Sequence, residues 1–231
     1  MKLKQKRTPA TRPEIVATAH NAAGLRTACG LRRGEVDLVE LRLDLLRGTA
    51  GGVRGAMPKL RAPVLLTARH PAEGGAEGLS AAERRNLLAE FLPEASALDV
   101  ELRSVTSFQG LLQEADRRGV RKIISFHDFR GTPSLPRLRR IVARAFRHGA
   151  DIVKIATFLR GPRDLAVLLN LQASAKSARL ATMGMGPLGR ISRLALAASG
   201  SRLVYGYLDR AQVPGQWPAV GLRRRIAEVM P

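Results

Sequence analysis

Lys154 is the residue whose placement most needs a chemical reason. It sits in Asp151-Ile152-Val153-Lys154-Ile155-Ala156-Thr157, an apolar run of strand character. An ammonium among Ile, Val and Ala is costly unless it is paired. Lysine is also sparse here, at positions 2, 4, 6, 59, 122, 154 and 176. Burial near cationic groups favours the neutral form of an amine, and a neutral amine attacks carbonyl carbon. The other reading of Lys154 is a structural lysine paired inside the fold. His127 closes a second such run, Ile123-Ile124-Ser125-Phe126-His127-Asp128, with acidic neighbours. Histidine there suits proton transfer, and a structural histidine is the lesser reading. His20, His70 and His148 are poorer candidates. His148 falls at a predicted helix C-terminus, before Gly149, where a cation complements the dipole.

Charged residues recur at the ends of other apolar runs. In Glu40-Leu41-Arg42-Leu43-Asp44 the charges alternate with leucine, so along a strand all three point to one side. Arg42 between two carboxylates could bind a hydroxylated anion, or the three could form an internal ion network. Arg69 ends a run and leads to Glu73-Gly74-Gly75, where the glycines let the loop turn back over the mouth of a site. Arg69 could instead be an ordinary surface arginine. Asp99, Glu101 and Arg103 alternate in the same way and fit a supporting role. Met183-Gly184-Met185-Gly186-Pro187-Leu188-Gly189 precedes Ser192 and Arg193, and glycines before a helix let backbone N–H groups meet an anion. Histidines and carboxylates do not fall at ligand spacing, so no metal is expected.

These residues need a frame that brings strand ends together. Short runs rich in Val, Ile and Leu alternate with helical segments along the chain. The runs are Glu14–Ala19, Val36–Leu43, Pro63–Arg69, Ala97–Leu102, Lys122–His127, Asp151–Thr157, Leu180–Met185 and Arg202–Leu208. Helices are predicted to about Arg33 and from Ser80, where Glu83 completes a capping-box pattern. Others cover Pro133–His148 (with Thr132 or Ser134 as cap), Asp164–Ala178, Leu188 to about Ser199, and Pro218–Val229. Strand-then-helix alternation implies a parallel sheet. Eight repeats in one domain's length imply a closed eight-stranded (β/α)8 TIM barrel. An open doubly wound sheet is disfavoured, because no glycine-rich phosphate loop follows the first run. In such a barrel the active site lies at the C-terminal strand ends, where the residues above fall.

Composition bounds the rest. The 231 residues read as one domain, with a basic and flexible N-terminal arm, Met1–Arg12. No apolar stretch reads as a secretory signal or a membrane span, and Cys29 stands alone, so the expectation is a cytoplasmic protein without disulfides. Lys and Arg number 39 against 19 Asp and Glu, a formal charge of +20. Arginine spread through predicted helices accounts for most of it, which reads as a solvated basic surface that also attracts small anions. A dedicated nucleic-acid surface is the lesser reading, since aromatics make up only 4% and offer few stacking platforms.

Taken in order, these segments resemble the type I 3-dehydroquinate dehydratases over nearly the whole chain. The resemblance is carried by Val36–Asp44, Leu66–Arg69 with Glu73-Gly74-Gly75, Asp99–Glu101, Ser125–Asp128, Ala150–Ala156, Met185-Gly186 through Gly189 to Ser192-Arg193, Gly200-Ser201 and Pro214-Gly215-Gln216. It implies a lyase that converts 3-dehydroquinate to 3-dehydroshikimate in the shikimate pathway. Lys154 would form a Schiff base with the substrate, His127 would act as acid and base, and Glu73 would orient or tune His127. Glu40, Arg42 and Arg69 would hold ring hydroxyls, Arg193 and Gln216 the carboxylate, and Thr18 falls near a family hydroxyl position. Gln212 stands where the family usually has a serine and is counted with the substrate-binding residues. Ala195-Leu196-Ala197-Ala198-Ser199 lacks the family's usual glycine and acidic residue. The resemblance also implies a homodimer that needs no cofactor. The rival readings are another class I Schiff-base barrel of aldolase type, and an inactive barrel that binds nucleic acid.

Overall fold

A computed structural model describes residues 12–174 and 179–230. The basic segment 1–11 and the last turn expected of the Asp164–Ala178 helix lie outside these residues. The elements run β1 (Glu14–Ala19), α1 (Ala22–Gly30), β2 (Leu38–Arg42), α2 (Leu43–Leu46), α3 (Ala50–Ala56), β3 (Val64–Thr67), α4 (Ala81–Phe91), β4 (Ala97–Glu101) and α5 (Gln109–Arg117). They continue β5 (Arg121–Asp128), α6 (Leu135–Arg147), β6 (Ile152–Phe158), α7 (Pro162–Ser174), β7 (Leu180–Met185), α8 (Gly189–Ala198), β8 (Leu203–Tyr207), β9 (Trp217–Pro218) and α9 (Leu222–Val229).

All strand pairs are parallel, in the order β7-β6-β5-β4-β3-β2-β1-β8-β9. The seam between β7 and β8 is held without a regular ladder. Arg202 N donates to Leu180 O at 2.9 Å, and Ser201 Oγ accepts from Thr182 N at 2.9 Å. A serine hydroxyl thus replaces a backbone carbonyl at the point of closure. The ninth strand was not expected. It covers Trp217 and Pro218, overlapping the first residue of the segment read as a helix from Pro218, and it pairs with β8 before α9 begins.

Strand parity sorts the side chains into two sets, as period-2 geometry requires. Ile15, Ala17, Val39, Leu41, Leu66, Leu98, Val100, Ile124, Val153 and Ile155 pack outward against the helices in one large core. The opposite parity points into the barrel. There Val16, Leu38, Leu65, Ala97, Ile123, Ile152, Ala181 and Leu203 form an apolar floor. Two residues further along the strands come Thr18, Glu40, Thr67, Asp99, Ser125 and Lys154, all buried. A polar layer therefore rests on an apolar one, at the end of the barrel where the chain leaves each strand.

The capping box of α4 forms as read: Ser80 Oγ accepts from Glu83 N at 3.2 Å, and Glu83 Oε2 accepts from Ser80 N at 2.8 Å. Ser134 occupies the N-cap of α6, but its side chain makes no capping bond. Thr132 turns away to Thr157 Oγ1 and Phe158 O.

Candidate active site

The polar layer is organised around Asp99. Its carboxylate accepts from Lys154 Nζ at 2.9 Å, from Arg69 Nη1 and Nη2 at 3.0 Å each, and from Ser125 Oγ at 2.6 Å. Burial opposes the charge on Asp99, but the Arg69 guanidinium and the Lys154 ammonium outweigh it and hold the carboxyl well below the usual carboxylate range. The same fork of Arg69 reaches Glu101 at 3.0 Å, and Glu101 in turn pairs with Arg84 of α4 at 3.1 Å. Arg84 is 2% exposed and stacks on Phe108, so the network is anchored behind the barrel wall.

Replacing one partner of such a network leaves the others charged and buried. Asp99→Ala would leave Arg69 with Glu101 alone and Lys154 with only Glu40 at 3.9 Å, and the expected cost is about 3–5 kcal/mol. A urea midpoint unchanged from wild type would contradict that account of Asp99.

Lys154 is placed by its surroundings on three sides. Asp99 holds the ammonium, Glu40 Oε1 stands 3.9 Å from it, and the ring of Tyr205 lies beneath it with Nζ 4.1 Å from the centroid. Glu40 is fixed from both flanking strands, by Thr18 Oγ1 at 2.8 Å and Thr67 Oγ1 at 2.8 Å. Thr18 thus spends its hydroxyl proton on Glu40.

His127 and Glu73 form a second unit. Glu73 Oε2 accepts from the backbone N of His127 at 2.9 Å and faces its ring Nδ1 at 3.0 Å. Burial, helped by Arg69 and Lys154, pushes the His127 imidazolium well below its ordinary range, so the ring is neutral at pH 7. Burial pushes the Glu73 carboxyl up to about 7. With Glu73 ionised, Nδ1 carries the proton and Nε2 keeps its lone pair.

The loop after β3 needs its glycines. Gly74 has φ 81°, and a Cβ on Gly75 would lie 2.0 Å from Arg69 O. Gly74 O accepts from Arg42 Nη2 at 3.0 Å, and Asp44 accepts from Ala76 N at 3.1 Å. The three charges of the second run do not share one strand, however. β2 ends at Arg42, and Asp44 lies in the helical turn α2. The turn wraps Asp44 back so that Arg42 grips it with Nε at 3.0 Å and Nη2 at 2.8 Å. Two parallel bonds of this kind fix the guanidinium firmly.

Arg193 enters from α8 and is 2% exposed. Its partners are the carbonyls of Tyr205, Gly184, Gly189 and Gly215, with no carboxylate among them. Burial alone pulls it down to about 10. The cavity side of this buried cation is therefore available to an anion. The loop carrying Gln212 and Gln216 closes above it. Gln216 Oε1 accepts from Gln212 N at 2.7 Å, Gln212 Oε1 accepts from Arg42 Nη1 at 3.2 Å, and Pro214 O accepts from Gly186 N at 3.0 Å. A Cβ on Gly215 would lie 2.5 Å from Gly189 Cα, so the loop seats only where both positions are glycine.

Thr18, Glu40, Arg42, Arg69, Glu73, His127, Lys154, Arg193, Gln212 and Gln216 all line one cavity of about 580 Å³. The expected site residues are thus brought together. Tyr205, Met183, Met185 and Phe129 share its wall and were not named as site residues, and His20, read as a poorer candidate, lines it too. Tyr205, Met183 and Met185 have the inward parity of their strands, a signal present in the sequence once the barrel is assumed. Among the described residues no cluster of His, Cys, Asp and Glu suits a metal ion.

Comparison with known proteins gives consistent relatives. The family model for type I 3-dehydroquinase matches residues 15–227. The 3-dehydroquinate dehydratase of Methanothermobacter thermautotrophicus is 32% identical over 96% of this chain and 94% of its own. The catabolic 3-dehydroquinate dehydratase of Acinetobacter baylyi is 32% identical over 97% of this chain and 84% of its own. The crystal structure of 3-dehydroquinate dehydratase from Geobacillus kaustophilus superposes with a TM-score of 0.83 at 31% identity, covering 95% of this chain and 92% of that one.

Proposed function

This chain belongs to the type I 3-dehydroquinase family, and we propose that it dehydrates 3-dehydroquinate to 3-dehydroshikimate through a Schiff base on Lys154. The observation that carries the residue assignment is the setting of Lys154, a buried lysine whose Nζ lies between Asp99 and the Tyr205 ring in the anion-ready cavity.

Arg193, with its unspent cavity side, and Gln216 receive the substrate carboxylate. Glu40, Arg42 and Arg69 face the ring hydroxyls. For Arg69 the main part is to order Asp99 beneath the amine, because its fork is already engaged there. Thr18 supports Glu40, and Gln212 ties the closing loop to Arg42. Attack on the ketone needs the free amine, so one proton passes from Nζ to the neutral His127 imidazole before the C–N bond forms. That proton returns to the adduct's hydroxyl, which departs as water and leaves a protonated imine. This electron sink makes the neighbouring C–H acidic. His127 Nε2 takes that proton, the electron pair forms the ring double bond, and the hydroxyl departs as water with a proton returned from His127. Water then hydrolyses the imine and frees the conjugated enone. An absorbance assay with purified protein and 3-dehydroquinate tests the activity: the enone band should grow, and a flat trace would refute it.

The proton on the Glu73–His127 pair sets a pH dependence. Below about 7, Glu73 is protonated and donates to Nδ1. The imidazole proton then sits on Nε2, which is no longer a base. Above about 7, Glu73 is ionised, Nδ1–H donates to it, and Nε2 is free. We expect kcat/KM to rise with pH along a limb of apparent pKa about 7 that belongs to the pair. Glu73→Gln should flatten this limb while it lowers the rate. An unaltered limb in that variant would remove Glu73 from this role.

The proposal extends to a homodimer, on the family resemblance, and to a cytoplasmic location, on the sequence signals alone. No helix among the described residues is long and apolar enough to cross a membrane. Sedimentation should give a mass twice that of the chain.

A further inference from the structure

Behind the Glu73–His127 pair, between the end of β4, β5 and α6, lies a second cleft of about 730 Å³. Its floor is apolar, made by Leu102, Phe126 and Ile141, and its rim is Arg103, Arg130, Arg137 and Arg144. It shares Glu73, His127 and Phe129 with the substrate cavity, so the Glu73–His127 pair borders both spaces.

The charge on this cleft is unbalanced. α6 carries Arg137, Arg139, Arg140, Arg144 and Arg147 and no acidic residue. Arg137, Arg140 and Arg144 stand at i, i+3 and i+7, which places them along one helical face. Among the described residues neither these three nor Arg130 has a carboxylate partner. Two carboxylates reach the cleft. Asp128 Oδ1 already accepts from Arg130 N at 2.9 Å and Gly131 N at 3.3 Å. Glu73 Oε1 faces Arg103 Nε at 3.9 Å. Exposed guanidinium groups on one cleft rim, three of them without a carboxylate partner, suit a multiply charged oxyanion that they can bind by bidentate bonding. The apolar floor adds a place for a hydrocarbon body.

We propose that this cleft is a regulatory site for an amphipathic phosphate monoester, an apolar ring or chain with a dianionic head, and that its occupation slows catalysis through Arg103 and Glu73. The regulatory half rests on the catalytic roles proposed above; the binding half does not. The groups facing Glu73 are His127 from β5, Arg69 from the end of β3, Glu101 from β4 and Arg103 beyond it. Arg69 and Arg103 are the cations that favour its ionised form. A dianion on Arg103 cancels that field and adds its own, so the protonated carboxyl gains and Nε2 of His127 loses its lone pair. The Arg103 side chain is 47% exposed, and solvent screening limits the effect to a rise of on the order of one pH unit.

The probe is phenyl phosphate, with inorganic phosphate as its control, and the variant is Arg137→Ala/Arg144→Ala. Alanine keeps the helix, and neither arginine touches the substrate cavity. Phosphorus NMR reads binding without turnover, so it stands whether or not the dehydratase assignment holds. Phenyl phosphate should bind wild type saturably, at least about tenfold more tightly than it binds the double variant, and more tightly than inorganic phosphate. In turnover it should lower kcat at pH 7 by about fivefold, move the ascending limb upward by about one unit, and have little effect at pH 9. The double variant should turn over normally and lose this response. Equal binding by the double variant, or by inorganic phosphate, overturns the site. Purely competitive inhibition, or binding that leaves the pH limb in place, overturns the coupling to Glu73.

Discussion

Lys154→Met is expected to lower kcat by roughly 10⁴–10⁶-fold, the scale seen when an enzyme loses its covalent nucleophile. The argument is chemical first. Without the amine no imine forms, and the C–H beside a plain ketone is far less acidic than one beside a protonated imine. It is also structural, because the variant should stay folded. Asp99 keeps both bonds from Arg69 and the one from Ser125 after Lys154 is gone, so its buried charge remains paired. Methionine is unbranched and apolar and can follow much of the lysine's path over Tyr205. The loss should therefore appear in turnover and not in the thermal unfolding curve. Turnover within a factor of ten of wild type would mean that the chemistry runs elsewhere.

His127→Ala is expected to lose about 10³–10⁴ in kcat, the upper part of the range for a positioned general base, since the residue is proposed to serve as both base and acid. The variant separates the two roles proposed for residues on adjacent strands. β5 and β6 pair directly, with His127 level with Ala156 and Ser125 level with Lys154. Parallel neighbours lie ~4.8 Å apart, so both side chains reach one small ring. Imine formation should survive in the variant, because Lys154 keeps Asp99 and Glu40. Proton abstraction should not. Borohydride should still couple substrate to Lys154 in this variant. Near-wild-type turnover, or loss of trapping with an intact circular dichroism spectrum, would contradict the assignment.

Lys154 was legible in the sequence because a charge inside an apolar run carries its own cost. The runs at Glu14–Ala19 and Leu180–Met185 coincide with β1 and β7 for the same reason: continuous apolar and small residues, bounded by turns. β2 was read too long, since alternation alone cannot show that Leu43 begins a helical turn. The fork between Arg42 and Asp44, which makes that turn worthwhile, exists only in three dimensions. Asp99 was read as support, but not as the group that joins Lys154 to Arg69. Those partners lie 55 and 30 residues away, and no local pattern specifies such pairings. Arg84 was hidden in a helix as one arginine among many, and only its burial against Phe108 and Glu101 sets it apart. The seam at Ser201 was invisible in another way, because a hydroxyl that replaces a ladder carbonyl leaves no trace in hydropathy.

Borohydride reduction in the presence of 3-dehydroquinate or 3-dehydroshikimate, followed by peptide mass spectrometry, tests the central claim most directly. The account predicts loss of activity and a single reduced adduct on the peptide containing Lys154, absent from Lys154→Met. An adduct on Lys122 instead, or inactivation with no added mass, would contradict it.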